Sequence, residues 1–461
     1  MTATFEDKAL LRRFEPVMRY TKGEEFFPMD VESYLSACSL HVRRSRSTTA
    51  TRLATKGELT PDKLAETSPD EAKSVYYLKF ADPLTVTELA TYKLKETLAY
   101  FDEEDVFHTG PGRLARVGYF SRFADALFSV SLLGRGRVPG DAAAAATLTY
   151  QDILRQQTQH YHRYYGRVVR ENGWLVLQYW FFYAFNNWRS GFYGFNDHEA
   201  DWEMACIYLS ETPKGEVTPE WVAYASHDFY GDDLRRRWDD PELEKEGEHP
   251  VIYSGAGSHS SYYTAGEYLI EIEIPLLSPI ARLTAELQAT WQDKFVSYFG
   301  DKFEGRSVSH GLFKMPFVDY ARGDGIAIGP NQQYPWHDPC VITQPPPWVS
   351  QYRGLWGLYT QDPLAGENAP AGPMYNRDGT VRRAWYDPLG WAGLDKVPPF
   401  YQRLDQVLDQ RVVLADRQIT LDAEIKQKSI QLLGLGTEIE AIHNQPHLEK
   451  IYSHHQAENQ A

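Results

Sequence analysis

The segment from Gly173 to Ser210 constrains this chain most. Trp174, Leu175, Val176 and Leu177 lead into Tyr179 to Phe185, a Gly- and Asn-rich turn follows, and a second run spans Asp201 to Leu209. Aromatic and β-branched residues in short runs bounded by turn residues read as β-strands. Nowhere do about eighteen apolar residues follow one another, so a membrane-spanning helix is not expected. Further strands are expected at Trp221 to Ala225, Val251 to Ser254 and Tyr268 to Ile274, separated by Asp, Gly and Pro clusters. Twelve Trp, thirty Tyr and twenty-two Phe beside thirty-three Gly and twenty-seven Pro fit many short strands and turns. The fold class expected is mainly β with helical additions: an antiparallel β-sandwich plus a long C-terminal helix.

At 461 residues, a domain of about 150 residues would fit three times, but the strand pattern points to one principal core. The expected divisions are 1–150, a lead-in of mixed strands, helices and irregular loops; 151–395, the sandwich core with a Gly/Pro/Trp-rich wrapping segment; and 396–461, a helical region. Within the lead-in, Asp30 to Cys38 reads as a short helix with Asp30 as N-cap, and Ser45 to Pro69 as a loop. Leu132 to Ala146 breaks the pattern before a helical Tyr150 to His160. The acidic run Asp239 to Glu248 reads as a surface loop and Gly300 to Pro347 as irregular, while Arg353 to Leu394 should wrap the sheet and bury its tryptophans. After Pro398 and Pro399, the residues Leu404, Val407, Leu414, Leu421, Ile425 and Leu432 lie close to a heptad seam interrupted by Arg411 and Gln418. This predicts a helix of about eight turns ended by Gly434 and Gly436. Packing back on the domain is favoured over self-association through residues 400–433, because the seam is short and imperfect.

Lys and Arg number 47 against 63 Asp and Glu, a net charge of −16, which repels phosphate backbones and excludes nucleic acid as an expected partner. The basic runs Arg43, Arg44, Arg46 and Arg235 to Arg237 are expected to be solvated or paired with acids. Cys38, Cys206 and Cys340 are odd in number and far apart and form no CxxC, so neither a disulfide framework nor a zinc knuckle is expected. Met1 to Arg13 lacks an apolar run before a small-residue cleavage site. The expected setting is cytoplasmic, peripheral to membranes at most.

His198-Glu199-Ala200-Asp201-Trp202-Glu203 carries the chemistry. On a strand, a period of two puts Asp201, Glu203, Ala205 and Ile207 on one face and Trp202, Met204, Cys206 and Tyr208 on the other. His198, in the preceding turn, can fold over the carboxylate face. Two carboxylates converging with an imidazole are most simply neutralised by a divalent cation with oxygen-rich coordination, Ca²⁺, Mg²⁺ or Mn²⁺, and less well by zinc. Pairing of the motif strand with Tyr179 to Asn186 would bring Asn186 to His198. The bland alternative is that the acids pair with arginines such as Arg189. In Gly255-Ala256-Gly257-Ser258-His259-Ser260 no partner for a serine nucleophile is evident, so His259 reads as an exposed loop histidine near the acidic site. No phosphate loop is present, since GK[ST] is missing. His227-Asp228 and His337-Asp338 read as local hydrogen-bonding pairs.

These residues carry a resemblance. The entry segment Glu24 to Leu35, Leu177 to Tyr183, His198-x-x-Asp201-Trp202-Glu203, Ser258-His259 with Tyr262, Arg353-Gly354-Leu355-Trp356-Gly357, Asp362-Pro363, Ala369 to Pro373 and Trp385 to Trp391 resemble the Vps62 family of vacuolar-protein-sorting-related proteins. The HxxDWE element is also similar to the central heptapeptide of necrosis- and ethylene-inducing-peptide-like proteins, secreted β-sandwich cytolysins with a divalent cation beside that motif. This second similarity implies His198, Asp201 and Glu203 as direct or water-mediated ligands, with Asn186 where that family tends to have an aspartate. Asp197, Glu199 and Ala200 depart from the heptapeptide, so cytolysis is not implied. The function expected is a Vps62-like protein whose cation site binds a polar ligand such as a lipid headgroup or glycan in a trafficking-related role. Two alternatives stand beside it: a metal-dependent hydrolase or lyase with Glu203 or His259 as general base, and a structural protein assembling through the C-terminal helix.

Overall fold

The computed structural model describes residues 2–44, 49–67, 74–85, 87–92, 94, 141–156, 162–187, 197–226, 231, 234–273, 314–358 and 368–460. Arg46, Arg189, His227, Asp228, Asp362, Pro363 and residues 132–140 lie outside them. The strands in chain order are β1 (Val17–Arg19), β2 (Ser39–Arg43), β3 (Thr51–Ala54), β4 (Val75–Lys79), β5 (Tyr164–Glu171), β6 (Trp174–Asn186), β7 (His198–Glu211) and β8 (Val217–Tyr224). They continue with β9 (Arg235–Arg237), β10 (Lys245–Glu246), β11 (His249–Ser254), β12 (Ser261–Tyr262), β13 (Gly266–Glu273), β14 (Lys314–Ala321), β15 (Ala327–Ile328) and β16 (Cys340–Val341). The helices are α1 (Thr2–Arg13), α2 (Val31–Ala37), α3 (Pro61–Ala65), α4 (Asp141–Gln156), α5 (Pro347–Ser350), α6 (Arg383–Tyr386), α7 (Pro388–Trp391), α8 (Phe400–Ile442) and α9 (Glu449–Gln460).

Two units are compact: residues 1–210 with 216–397, and residues 211–215 with 398–461. The first holds the sandwich. One sheet runs β16-β5-β6-β7-β8-β9 and the other β10-β11-β1-β15, with β12 on β11. Pairing is antiparallel at β10–β11, β11–β12, β1–β15, β5–β6, β6–β7 and β8–β9 and parallel at β1–β11 and β16–β5. Alternation in β6 explains why both faces of the larger sheet are buried. Leu175, Leu177, Tyr179, Phe181 and Tyr183 face Met18, Tyr20, Ile252 and Ile328 of the second sheet, while Trp174, Val176, Trp180 and Phe182 face a layer of helices and wrapping chain. With both faces covered, the run reads as continuously apolar.

The wrapping segment buries Trp356, Trp385 and Trp391 as its composition predicts. Glu199 fastens it: its buried carboxylate accepts from the amides of Phe80 and Ala81 at 2.9 Å each and of Leu358 at 3.0 Å. Asp30 caps α2 by accepting from the amides of Glu32 and Ser33. Several expectations need correction. The Ser45 to Pro69 stretch contains β3 and α3, the latter started by the Thr60 cap and Pro61. The five alanines lie inside α4, since Ala is the best helix former. The acidic run includes β10.

In the second unit, α8 is 43 residues long and passes through Gly434 and Gly436. Each glycine costs about 1 kcal/mol in a helix interior, too little to stop a helix with good formers on both sides. No residue of α8 is buried. Within this unit α9 meets α8, His455 Nδ1 lying 3.1 Å from Glu438. Among the described residues, no helix is long and apolar enough to cross a membrane.

Candidate functional site

The register of β6 and β7 is continuous from Trp174↔Ser210 to Tyr183↔Asp201 and resumes at Phe185↔Glu199 and Asn186↔His198. The missing pair is Ala184 with Ala200, where Ala200 adopts φ +58°. This irregularity sets the site. Up to Tyr183 the odd-numbered β6 residues face the second sheet, yet Phe185 packs with Ala184 and Phe182 on the opposite face. The same inversion sends Glu199 to the wrapping chain and brings Asn186 and His198 to the face of Asp201 and Glu203. The two motif carboxylates share a face as the period of two requires, and the left-handed residue adds the histidine and the amide to them. His198 is the first residue of the strand rather than part of a turn.

Asp201 is nearly buried. Its Oδ2 accepts from Asn186 Nδ2 and His259 Nδ1, both at 3.0 Å. Burial alone would raise this carboxyl, but the His259 hydrogen bond and the charges around it hold it below the usual range. His259 has no exposed surface, contrary to the expected exposed loop residue. It occupies a left-handed position, φ +57°, and its ring stacks on Tyr183 with centroids 3.8 Å apart. Its Nε2 lies 3.6 Å from Glu24 Oε1. Desolvation would lower its pKa, yet Asp201 and Glu24 together push it up to about 9. Glu24 is oriented by the amides of Phe26 at 3.0 Å and Gly257 at 2.7 Å. Burial opposes its ionisation, but His259 and these amides lower its pKa nonetheless. His259 is thus an imidazolium clamped between two carboxylates.

Glu203 retains some solvent contact. Desolvation and then the charge of Asp201 push its carboxyl well above the carboxylate range, against the pull of Arg382. Arg382, from the wrapping chain, donates to the carbonyls of Gly372 and Tyr375. His198 Nδ1 lies 2.7 Å from the Ala200 carbonyl. A carbonyl only accepts, so Nδ1 carries a proton, and in the neutral ring the lone pair is on Nε2. Behind the site, Ser258 and Tyr262 donate to Asp319 Oδ2 at 2.6 and 2.8 Å. Gly255 allows this approach, since a Cβ there would lie 2.3 Å from Ser258 Oγ.

The structure therefore brings Asn186, His198, Asp201, Glu203 and His259 to one strand end. Glu24, Asp319 and Arg382 belong to the same network, and sequence reasoning assigns none of them to the site. Asp338 accepts from Lys8 Nζ at 2.6 Å. Arg236 and Arg237 pair with Glu242 and Asp239 as expected of acid-matched arginines. Among the described residues, no three His, Cys, Asp or Glu side chains close around a point where an ion would sit.

No protein-family model matches the chain, and no curated protein matches it either. Solved structures of necrosis- and ethylene-inducing-type proteins are similar to a part of it. NLPPya in complex with glucosamine shows 16% identity over 22% of this chain and 44% of that one, with a TM-score of 0.17. Necrosis and Ethylene inducing Protein 2 from the causal agent of cocoa's Witches' Broom disease shows 17% identity over 22% and 45%, also at 0.17. The non-toxic HaNLP3 protein shows 15% over 21% and 41%, again at 0.17. The chain spans less than half the length of these proteins.

Proposed function

We propose that the end of the β6–β7 pair is a cation-dependent recognition site for a polar ligand, a glycan or a lipid headgroup. His198, Asp201 and Glu203 would hold Ca²⁺, Mg²⁺ or Mn²⁺, with Asn186 beside them. The ion would supply positive charge and coordination to ligand oxygens in a site where carboxylates outnumber cations. The observation that carries this reading is the 2.7 Å contact of His198 Nδ1 with the Ala200 carbonyl, which orients the ring and leaves Nε2 as the ligating nitrogen.

An enzyme built on the same residues needs a free base. His259 is wholly enclosed and out of reach of a substrate, so recognition without turnover is the reading this enclosure favours. The Vps62-like motifs, most of them in the wrapping chain around Trp356 and Trp385, support a trafficking setting at a cytoplasmic membrane surface. Co-sedimentation with anionic vesicles and binding to immobilised glycans, each with millimolar Ca²⁺ and with chelator, tests the proposal. Retention of at least one ligand class only with cation supports it. Equal retention in chelator, or ester or glycoside hydrolysis that Glu203→Gln abolishes, would overturn it.

A further inference from the structure

We propose that α8 pairs with α8 of a second copy of this chain as an antiparallel coiled coil. A helix of 43 residues with no buried residue, which meets α9 near its C-terminal end, has little tertiary packing to stabilise most of its length. Along it Leu404, Val407, Leu414, Leu421, Ile425 and Leu432 are between 39% and 68% exposed. They fall on one seam at heptad positions a and d, so they lie along one side of the helix. Such a stripe on a soluble chain calls for a cover.

The flanking charges identify the cover as the helix itself. In an antiparallel pair, each g position faces the partner's g position. The g series here includes Arg403, Arg417, Glu424 and Glu438. Setting Leu414 against the partner's Ile425 brings Arg417 against the partner's Glu424 and, by the two-fold axis, Glu424 against the partner's Arg417. A slip of one heptad in one direction would oppose Arg417 to its own copy, and in the other direction Glu424 to its own copy, so of these three registers only the first is free of like charges at both central positions. A parallel pair would stack Arg411 on itself and Lys428 on itself inside the seam. In the antiparallel register Arg411 faces the partner's Lys428, a weak layer that their long stems relieve by reaching water.

Light scattering on the full chain at micromolar concentration tests this. The expected mass is about twice 52.9 kDa. Arg417→Glu and Glu424→Arg should each weaken the dimer roughly tenfold, and combining them should restore it. Arg411→Leu should tighten it. A monomer at every concentration overturns the proposal. A dimer that Arg417→Glu weakens while Glu424→Arg does not, or one that the double variant fails to restore, overturns the antiparallel register.

Discussion

Replacing His259 by Gln should remove the one cation that lies between Asp201 and Glu24 and leave two buried carboxylates facing a neutral amide. Breaking a buried ion pair from one side costs about 3–5 kcal/mol. The pH dependence gives a second handle. The His259 pKa rises from 6.5 to about 9 on folding; such a shift is worth about 3 kcal/mol. Because the folded value lies above the unfolded one, this stabilisation is complete below about pH 6.5 and is lost as pH rises through about 9. Asp201 and Glu24 are shifted the other way, so their contribution is present above about pH 4 and is lost as pH falls through their folded values. Urea unfolding of the chain and of His259→Gln at about pH 6.5 and 9.5 reads both effects. The gap between the two proteins should be several kcal/mol at the lower pH and should shrink by about 3 kcal/mol at the higher one. A gap that is small, or equal at both pH values, would refute the clamped imidazolium.

Two further substitutions test the packing that positions the site. Glu199→Gln replaces an acceptor of three backbone amides by a group with one accepting oxygen, and should lower stability by about 2–3 kcal/mol; an unchanged melting temperature would show that the wrapping chain is held otherwise. Gly357→Ala would place a Cβ 2.4 Å from the Glu199 Cβ and 2.6 Å from its carbonyl oxygen, and such overpacking should cost about 1–3 kcal/mol, visible as a lower urea midpoint. Tolerance of this alanine would contradict the close approach of the two chain segments.

The sandwich was legible because the two-residue period of β6 and β7 is a local signal, and it correctly predicts that Asp201 and Glu203 share a face. The same rule also puts His198 and Asn186 on the wrong face, and only the left-handed turn of the strand at Ala200 corrects that. Alanine carries no sequence mark of such a backbone conformation, and the tertiary packing of Glu199 into the wrapping chain accompanies it. The burial of His259 was hidden for a related reason: its partner Glu24 comes from a segment 235 positions earlier in the chain, and no spacing rule connects them. Asp319 and Arg382 were invisible in the same way. On α8 the seam is visible in the sequence, whereas Gly434 and Gly436 mimic a stop signal, although about 1 kcal/mol each does not end a helix that continues to gain a hydrogen bond per residue.

The central claim is that the strand end carrying His198, Asp201 and Glu203 holds a cation. Isothermal calorimetry of the chain with Ca²⁺, Mg²⁺ and Mn²⁺, run beside Asp201→Asn and His198→Ala, tests it most directly. The account predicts a single saturable site for at least one of the three ions in the chain, weakened by about tenfold or more in each variant. No heat of binding for any ion, or the same affinity in chain and variants, would contradict it.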